Sequence, residues 1–518
     1  MDQPPHSPTL GGSGPRAAQN ESLPRQLFRL GRNTGTYLVT DALVKGMALI
    51  LAPIYTRVLN PSAYGILAIA STVTLLLTLT LGLALNAAIT RLYFEAESAK
   101  DERTLYGTIL IFLLVIPGVL TLGLELAGDA GYLDFFRSVP YDPYLRYAVW
   151  AAYLGVFLDV PLAIYTTRQE PRKVVGITLF NALTLAAVTI LLVVVLREGV
   201  LGALRAALIT SAAAAVVSVL LTARMAAARF SWMLLKAALL FSLPLIPHLL
   251  SQWSLSVSDR IVLQGYVPYA QLGLYSLGAS VAAAASLGVN ALSRAFTPAV
   301  TAQLKREGPQ GQVPRIGTFW FAGATWACVF VALFGGDIIR LLTPSSFHQA
   351  ARVVPVLVFG HLAFGVYQLV TQGTWYSMKT ITIPIVTFGA AAVNVGLNLV
   401  ILPWGGIMTA AWATLIAYVV LAFTQGLLAH RLYPIPWELK RWTKLLVAGA
   451  LAFVAGTAAT GALTVSHIAV ELAAVFVAFP LVLLVLAFWT PDERRWLRYR
   501  FVVARAALVG RVRLSLGR

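Results

Sequence analysis

The chain has 518 residues, of which 58% are hydrophobic and only 12% are charged, and its mean hydropathy is +0.77. Soluble domains carry about 25% charged residues, so this composition excludes an ordinary soluble globular protein and a disordered chain. The charges are unbalanced, with 39 Lys and Arg against 21 Asp and Glu and a formal net charge of +18. In a membrane protein such an excess lies in cytoplasmic loops, which favours a polytopic membrane protein over a nucleic-acid-binding one.

The N-terminal segment 1–24 is rich in Pro, Gly and Ser and lacks an apolar run. A signal peptide needs such a run, whereas this composition is typical of disorder. We therefore predict a disordered cytoplasmic tail over 1–24.

Long uncharged runs follow along the chain, and a membrane helix needs about 20 apolar residues in a row. The run 380–430 is too long for one helix and contains the turn pattern Leu402–Gly406, so it is divided in two. Twelve spans result, from the uncharged runs 58–90, 104–124, 174–196, 206–223, 237–258, 261–293, 316–336, 353–378, 380–430, 445–470 and 472–491.

Two further apolar stretches contain charged residues. Asp41 and Lys45 interrupt the stretch 36–59, and Asp159 lies within the stretch 144–166. Adding these two gives fourteen predicted spans.

The loops predict the orientation. An even number of spans places both termini on one side of the membrane, and basic residues mark the cytoplasmic side. With both termini inside, that side holds the most basic segments, which are the N-terminal tail, 168–173, 224–236, 305–315, 431–444 and 494–518. The loops therefore predict that both termini are cytoplasmic. The excess of 31 Arg over 8 Lys favours a bacterial host, so the predicted location is the bacterial cytoplasmic (inner) membrane.

The chain also repeats itself. Similar landmarks recur at an offset of about 205 residues and at the same place in the span count. Because the repeating unit has six helices, an even number, the two copies share one orientation, and two helices remain at the end. A parallel pair of six-helix halves with a site between them is a transporter plan. The paired landmarks are Pro61–Gly65 with Tyr269–Gly273, Asn86–Arg91 with Asn290–Arg294, and Gly199–Ala203 with Gly406–Ala410.

This pattern divides the chain after the N-terminal tail into four parts. We predict an N-terminal six-helix bundle over 25–230 and a C-terminal six-helix bundle over 231–432. Two additional helices follow over 433–490, and a basic cytoplasmic tail follows over 491–518. The predicted fold class is an all-α integral membrane protein with about fourteen transmembrane helices.

No enzyme motif was found in the sequence. It contains no phosphate-binding GxxxxGK[ST] loop, no HExxH, no GxSxG and no DxD pair. The single cysteine, Cys328, excludes a disulfide framework and a cysteine-rich metal site, and His248 and His361 lack metal-ligand spacing. We therefore predict a protein that is not an enzyme and that needs neither a cofactor nor a metal.

Several short motifs occur along the chain in an order that one known family shares. They are Pro53–Arg57, Leu59–Pro61, Tyr64–Gly65, Arg91–Tyr93, Asp259–Arg260 and Leu272–Leu277. These motifs resemble the first hairpin and the seventh-to-eighth-helix junction of the polysaccharide-transport, or Wzx-type oligosaccharide flippase, family. The resemblance implies two six-helix bundles in a V around a central cavity, and movement of polyprenyl-pyrophosphate-linked glycans between leaflets.

Charged residues inside predicted spans are the candidate functional residues. A charge at mid-membrane costs roughly 2.5–3.5 kcal/mol on insertion scales, so these residues face the bundle interior or water. Asp41 and Lys45 are four residues apart and share a helix face; they either neutralise each other or line the path, with Lys45 binding phosphate. Asp41 and Asp159 are the candidates for ion or proton coupling, and a satisfied interior carboxylate is the alternative for Asp159.

Three arginines complete the candidate site. Arg91 and Arg294 hold matching positions in the two halves, where they could bind a pyrophosphate at the inner mouth or extend to the lipid headgroups. Arg260 is a third candidate for substrate binding, and with Asp259 it could instead form an ion pair that holds the fold.

The predicted function is a flippase that moves a polyprenyl-pyrophosphate-linked oligosaccharide from the cytoplasmic to the outer leaflet for surface polysaccharide biosynthesis. It would work by alternating access coupled to an ion or proton. Its predicted partners are the lipid-linked glycan, membrane lipid, and a polysaccharide polymerase or glycosyltransferases. Three alternatives stay open: a lipid II flippase, a cation-coupled small-molecule exporter of the same superfamily, and a membrane glycan polymerase or transferase.

Overall fold

The computed structural model describes residues 46–47, 50–130, 139–458 and 464–495. Within these residues the regular secondary structure is helical, and no strand occurs. Asp41, Lys45, the predicted N-terminal tail, residues 496–518 of the predicted C-terminal tail and part of the first predicted span lie outside the described residues.

The first half begins with a helix that covers residues 50–58 and then forms five membrane crossings. The Asn60 side chain caps the next helix by accepting a hydrogen bond from the Ala63 N–H at 2.8 Å. This crossing bends where Leu83 and Ala84 adopt the left-handed conformation. The helices are α1 Pro61–Gly82, α2 Leu85–Glu95, α3 Ala99–Asp129, α4 Arg146–Thr167, α5 Pro171–Thr189 and α6 Gly199–Ala223.

The second half has the same order of crossings, followed by the two extra helices. Short 3-10 or π turns join consecutive helical pieces within several crossings. The helices are α7 Trp232–Ser242, α8 Ile246–Leu263, α9 Tyr269–Glu307, α10 Val313–Leu342, α11 Val354–Tyr376, α12 Thr382–Leu432, α13 Leu439–Thr457, α14 Val465–Ala473 and α15 Phe479–Val485.

The helix α12 accounts for two crossings. It has 51 residues, which is about 77 Å at 1.5 Å per residue, more than twice the roughly 30 Å of a hydrocarbon core. At Gly406 the backbone takes φ 60° and ψ −140°, which breaks the helix at the predicted turn.

The span count agrees with the prediction. Eleven described helical segments are long and apolar enough to cross a membrane. The second crossing of α12, the helix α13 and the helix that ends at residue 58 bring the total to fourteen. The all-helical fold class is therefore confirmed.

The parallel repeat is confirmed by a reciprocal contact between α1 and α9. A Cβ placed on Gly65 would lie 2.2 Å from the Tyr269 carbonyl oxygen, and one placed on Gly273 would lie 2.0 Å from the Pro61 carbonyl oxygen. Gly65 thus contacts Tyr269, which is the repeat counterpart of Pro61. In the same way, Gly273 contacts Pro61, which is the repeat counterpart of Tyr269. This is the signature of a two-fold relation between the halves. We call this contact the glycine crossing.

Two predicted boundaries are wrong, and burial explains both. The charge-based limits placed Asp259 and Arg260 between two spans, but they lie inside α8. Glu471 was placed between the thirteenth and fourteenth spans, but it lies inside α14 and is only 4% exposed. Partners on neighbouring helices make these charges tolerable inside a helix bundle, and the linear sequence does not show those partners.

The last two crossings pack on α10 of the second half. Near one end, the Trp442 indole N–H donates to Thr318 Oγ1 at 3.2 Å, and buried Glu493 accepts from Arg315 Nε at 2.8 Å and from Arg441 Nη2 at 2.9 Å. Burial of Glu493 works against ionisation, but the Thr490 N–H and the two guanidinium groups prevail and lower the pKa of its carboxyl group.

Candidate functional site

A cavity of about 290 Å3 lies at the boundary between the two halves. Its walls come from α1, α2, α3 and α4, and Leu249 of α8 adds a contact from the second half. The polar lining consists of Asp159, Asn86 and Thr78, of which only Asp159 is charged. The prediction that Asp159 faces a cavity agrees with this placement, while its coupling role stays a prediction.

The position of Asp159 follows from the local sequence of α4. Helix neighbours Val156 and Val160 line the same cavity, so this face of α4 is turned towards it. Pro161 lies within the helix and leaves the Phe157 carbonyl without its intrahelical N–H. A carboxylate that shares a cavity with the Asn86 amide and the Thr78 hydroxyl can bind a cation or a proton.

Arg91 lies on α2 near the second half. Its Nε is 3.0 Å from Glu95 Oε1, and its guanidinium lies 4.8 Å from the centre of the Phe241 ring on α7. Both charged side chains are about half exposed, so the ion pair is weak. A partly neutralised, accessible arginine is still able to bind an anionic ligand.

Arg294 lies exposed on α9, in the half opposite Arg91. The adjacent part of α9 is fixed by Gln368 of α11, whose Nε2 donates to Asn290 Oδ1 at 3.0 Å and whose Oε1 accepts from Ser293 Oγ at 2.9 Å. These bonds join the part of α9 next to Arg294 to α11. The substrate role of both arginines stays a prediction.

Arg260 lies apart from this cavity, beside the glycine crossing. Its neighbour Asp259 is buried, accepts a hydrogen bond from the Tyr275 hydroxyl, and accepts the Arg260 backbone N–H at 2.8 Å. The positive charge of Arg260 interacts electrostatically with Asp259 and with Tyr64, which is buried in α1. This arrangement supports the fold-holding alternative for Asp259 and Arg260, and substrate contact by Arg260 stays a prediction.

Sequence reasoning missed one cluster of ionisable residues. Asp337 of α10 meets His467 and Glu471 of α14, and one ligand atom from each lies within 4.8 Å of the others. The histidines considered for metal binding were His248, which contacts Thr387 Oγ1 at 3.0 Å, and His361. The sequence signal that could have revealed this cluster is the spacing of His467 and Glu471. They lie four residues apart inside an apolar span and therefore share a helix face.

The sequence model of the family described as "Polysaccharide biosynthesis protein" matches residues 30–302. An "Uncharacterized membrane protein" of Haemophilus influenzae is 26% identical over 281 residues, which are 53% of this chain and 66% of that relative. The chain therefore spans slightly less than two thirds of the length of this relative.

Two solved structures show which fold this is. "Lipid II flippase MurJ, inward closed conformation" is 13% identical with a TM-score of 0.68, over 88% of this chain and 99% of that one. An inward-facing "multidrug resistance MATE family transporter of the MOP superfamily" is 14% identical with a TM-score of 0.59, over 78% and 95% of the two chains. The chain shares their fold of two helical halves.

Proposed function

Because this multi-pass membrane protein belongs to the polysaccharide biosynthesis protein family, we propose that it is a flippase for a polyprenyl-pyrophosphate-linked oligosaccharide. It would move this lipid from the cytoplasmic to the outer leaflet of a bacterial inner membrane for surface polysaccharide biosynthesis. The observation that carries the proposal is a pair of repeat-related halves in a chain of this family, with a cavity in the first half that Leu249 of the second half also lines.

The physical task suits this architecture. An anionic sugar pyrophosphate does not cross hydrocarbon at a useful rate because its charges would lose their hydration, while its polyprenyl tail stays in lipid throughout. A cavity that opens to one side and then to the other moves the polar head without covalent chemistry. In this proposal the protein is a transporter and not an enzyme.

The residues would share the work as follows. Arg91 and Arg294 attract the pyrophosphate at the inner mouth, since guanidinium groups bind phosphate through paired hydrogen bonds. Lys45 binds the phosphate farther along the path. Protonation or cation binding at Asp159 or Asp41 resets the cycle, because a change of charge at a group that the two states surround differently alters their relative free energies.

The first test is genetic. Deletion of the gene should leave the lipid-linked glycan on the cytoplasmic leaflet and remove surface polysaccharide. Unchanged surface glycan in a deletion strain without a second flippase would refute the assignment.

The arginine roles need a charge-matched comparison. The double variant Arg91→Ala with Arg294→Ala should reproduce much of the deletion defect at normal protein levels. Arg103 and Arg431 are also exposed and lie on the predicted cytoplasmic side, so Arg103→Ala with Arg431→Ala removes the same charge and should keep transport. Equal transport by both double variants would remove the two arginines from the site.

The pair Asp41 and Lys45 is tested by exchange. In Asp41→Lys with Lys45→Asp the mutual neutralisation is kept but the charge order along the path is reversed. Transport should stop while the protein stays in the membrane. Wild-type transport by this variant would show that the two residues only neutralise each other.

The proposed topology is tested with reporter fusions. Fusions after Arg172, Lys236 and Arg306 should report the cytoplasm, as should fusions at both termini. An external signal at Lys236 would contradict the inside location of the loop that joins the two halves.

A lipid II flippase is the second candidate, because the solved structure of that name shares the fold over 88% of this chain. The discriminating experiment is depletion of the protein in its native host. Loss of surface polysaccharide with intact peptidoglycan synthesis supports the first proposal, whereas arrest of peptidoglycan synthesis and lysis supports the second.

A further inference from the structure

We propose that Asp337, His467 and Glu471 form a binding site for a divalent transition-metal ion of the zinc class, which joins the last membrane crossing to α10. The residues come from two helices that are far apart in the sequence. His467 and Glu471 lie four residues apart on α14 and therefore share one face, and Asp337 lies near the end of α10.

The spacing of the ligand atoms fits a coordination shell. His467 Nε2 is 3.0 Å from Asp337 Oδ2 and 3.4 Å from Glu471 Oε1. In a tetrahedral zinc site with bonds of about 2.0–2.2 Å, neighbouring ligand atoms are roughly 3.3–3.6 Å apart. All three ligand atoms lie within 4.8 Å of one another, so closer approach of the two carboxylates would seat one ion between the three groups.

The same atoms are not satisfied by hydrogen bonds. His467 and Glu471 are 7% and 4% exposed. Among the described residues, neither His467 nitrogen, nor Asp337 Oδ2, nor Glu471 Oε2 has a hydrogen-bond partner. Buried polar atoms are normally paired. Asp337 and Glu471 can satisfy each other only by sharing a proton, whereas one ion held by all three side chains would satisfy both carboxylates and the imidazole.

The charge balance points to a cation. Two carboxylates lie side by side next to a histidine, and the neighbouring cation is Arg340, whose Nη1 is 3.5 Å from Asp337 Oδ1 and whose side chain is 42% exposed. Arg340 alone does not balance two carboxylates, so without a metal ion the second negative charge requires a proton on His467 or Glu471. A divalent ion would balance both carboxylates without that proton. One imidazole nitrogen with two carboxylate oxygens suits zinc better than magnesium or calcium, which prefer all-oxygen shells.

Three protein ligands leave one position of the zinc tetrahedron for water. The site is distinct from the cavity that contains Asp159, since none of its residues lines that cavity. It lies towards the end of α10 opposite to Arg315 and Glu493. The ion would therefore attach the last two helices to one end of α10, and Glu493 attaches them to the other end.

The test uses the full chain purified in detergent with an affinity tag that contains no histidine. The protein is stripped with a chelator, dialysed against zinc and analysed by mass spectrometry for metal content. We expect about one zinc per chain in the wild type, as for a structural site, and a rise in the thermal midpoint on adding zinc. Both effects should be lost in His467→Ala.

The matched control is His348→Gln. His348 lies at the same end of the molecule, beyond the end of α10, with Nε2 3.2 Å from the Thr343 carbonyl oxygen. This variant also lacks one histidine and should keep the bound zinc. If His467→Ala fails to accumulate, the near-isosteric Glu471→Gln provides the comparison and should weaken zinc binding by about tenfold or more.

Equal zinc content and equal thermal shifts in the wild type and in a variant with an altered ligand would overturn the proposal. A preference for magnesium or calcium over zinc would also overturn it. Metal content and melting are measured without transport, so failure here leaves the flippase proposal untouched.

Discussion

The glycine crossing provides the sharpest test of how the halves move. In Gly65→Ala the new Cβ would lie 2.2 Å from the Tyr269 carbonyl oxygen. The oxygen is a main-chain atom and the Cβ is bonded to one, so a change of side-chain rotamer cannot relieve the clash. Ordinary contact would require the helices to separate by roughly 1 Å or more. Overpacking of this kind costs about 1–3 kcal/mol. The proposed alternating access would separate these helix starts, so the cost should fall mainly on the state described here.

This cost predicts a shift between two populations. A difference of about 1–3 kcal/mol changes the ratio of two states by roughly 5–150-fold. Spin labels on Ser62→Cys and Gln271→Cys, both exposed at the starts of α1 and α9, report their separation by pulsed electron resonance. Cys328 is buried and is replaced by alanine in all samples. Gly65→Ala should enlarge the population with a long distance between the labels.

Substitutions at two other glycines provide the control variant and a second test of the predicted shift. A Cβ on Gly176 of α5 would have no atom within 4 Å, so Gly176→Ala should leave the distance distribution unchanged. Gly273→Ala should act like Gly65→Ala, because the contact is reciprocal. Wild-type distance distributions in both crossing variants would show that the glycine crossing does not separate during the cycle.

Three other substitutions test the site and the packing. Asp159→Asn should stop transport at normal membrane levels if charge in the cavity matters; wild-type flipping in proteoliposomes would contradict that role. Tyr275→Phe removes a hydrogen bond to the buried Asp259 carboxylate and should lower stability by about 1.5–3 kcal/mol; an unchanged thermal midpoint would contradict the importance of this bond. Because the pKa of Glu493 is lowered in the folded protein, its stabilising effect should be complete above about pH 4.3 and fade as the pH falls through the lowered value. The melting difference between the wild type and Glu493→Gln should therefore shrink in acid, and a difference independent of pH would refute the charge-based explanation.

The helix count and the repeat could be predicted from the sequence because both depend on local patterns. An apolar run of about 20 residues must cross the membrane whatever its neighbours are. Landmarks such as Pro61–Gly65 and Tyr269–Gly273 recur because each begins a helix at the same place in the plan. Their direct mutual contact was not predictable, since an offset along the chain gives no distance in space.

The errors share another physical origin. Charged residues were treated as ends of spans, but Glu471 and Asp259 lie inside helices with partners supplied by other helices. The cluster of Asp337 with His467 and Glu471 was missed for the same reason, because its members meet only after folding. Asp159 could be chosen as a candidate because it lacks a local partner, and that property can be read from the sequence.

The attachment of the last two helices makes the two halves mechanically unequal. They pack on α10 in the second half and are held by Glu493, which contacts both Arg315 and Arg441. A body with more buried contacts resists local deformation more strongly, so we expect the second half to be the stiffer of the two. We therefore expect the two halves to move unequally during the cycle. The first half should tilt and bend at Leu83 and Ala84, while the second half should change little.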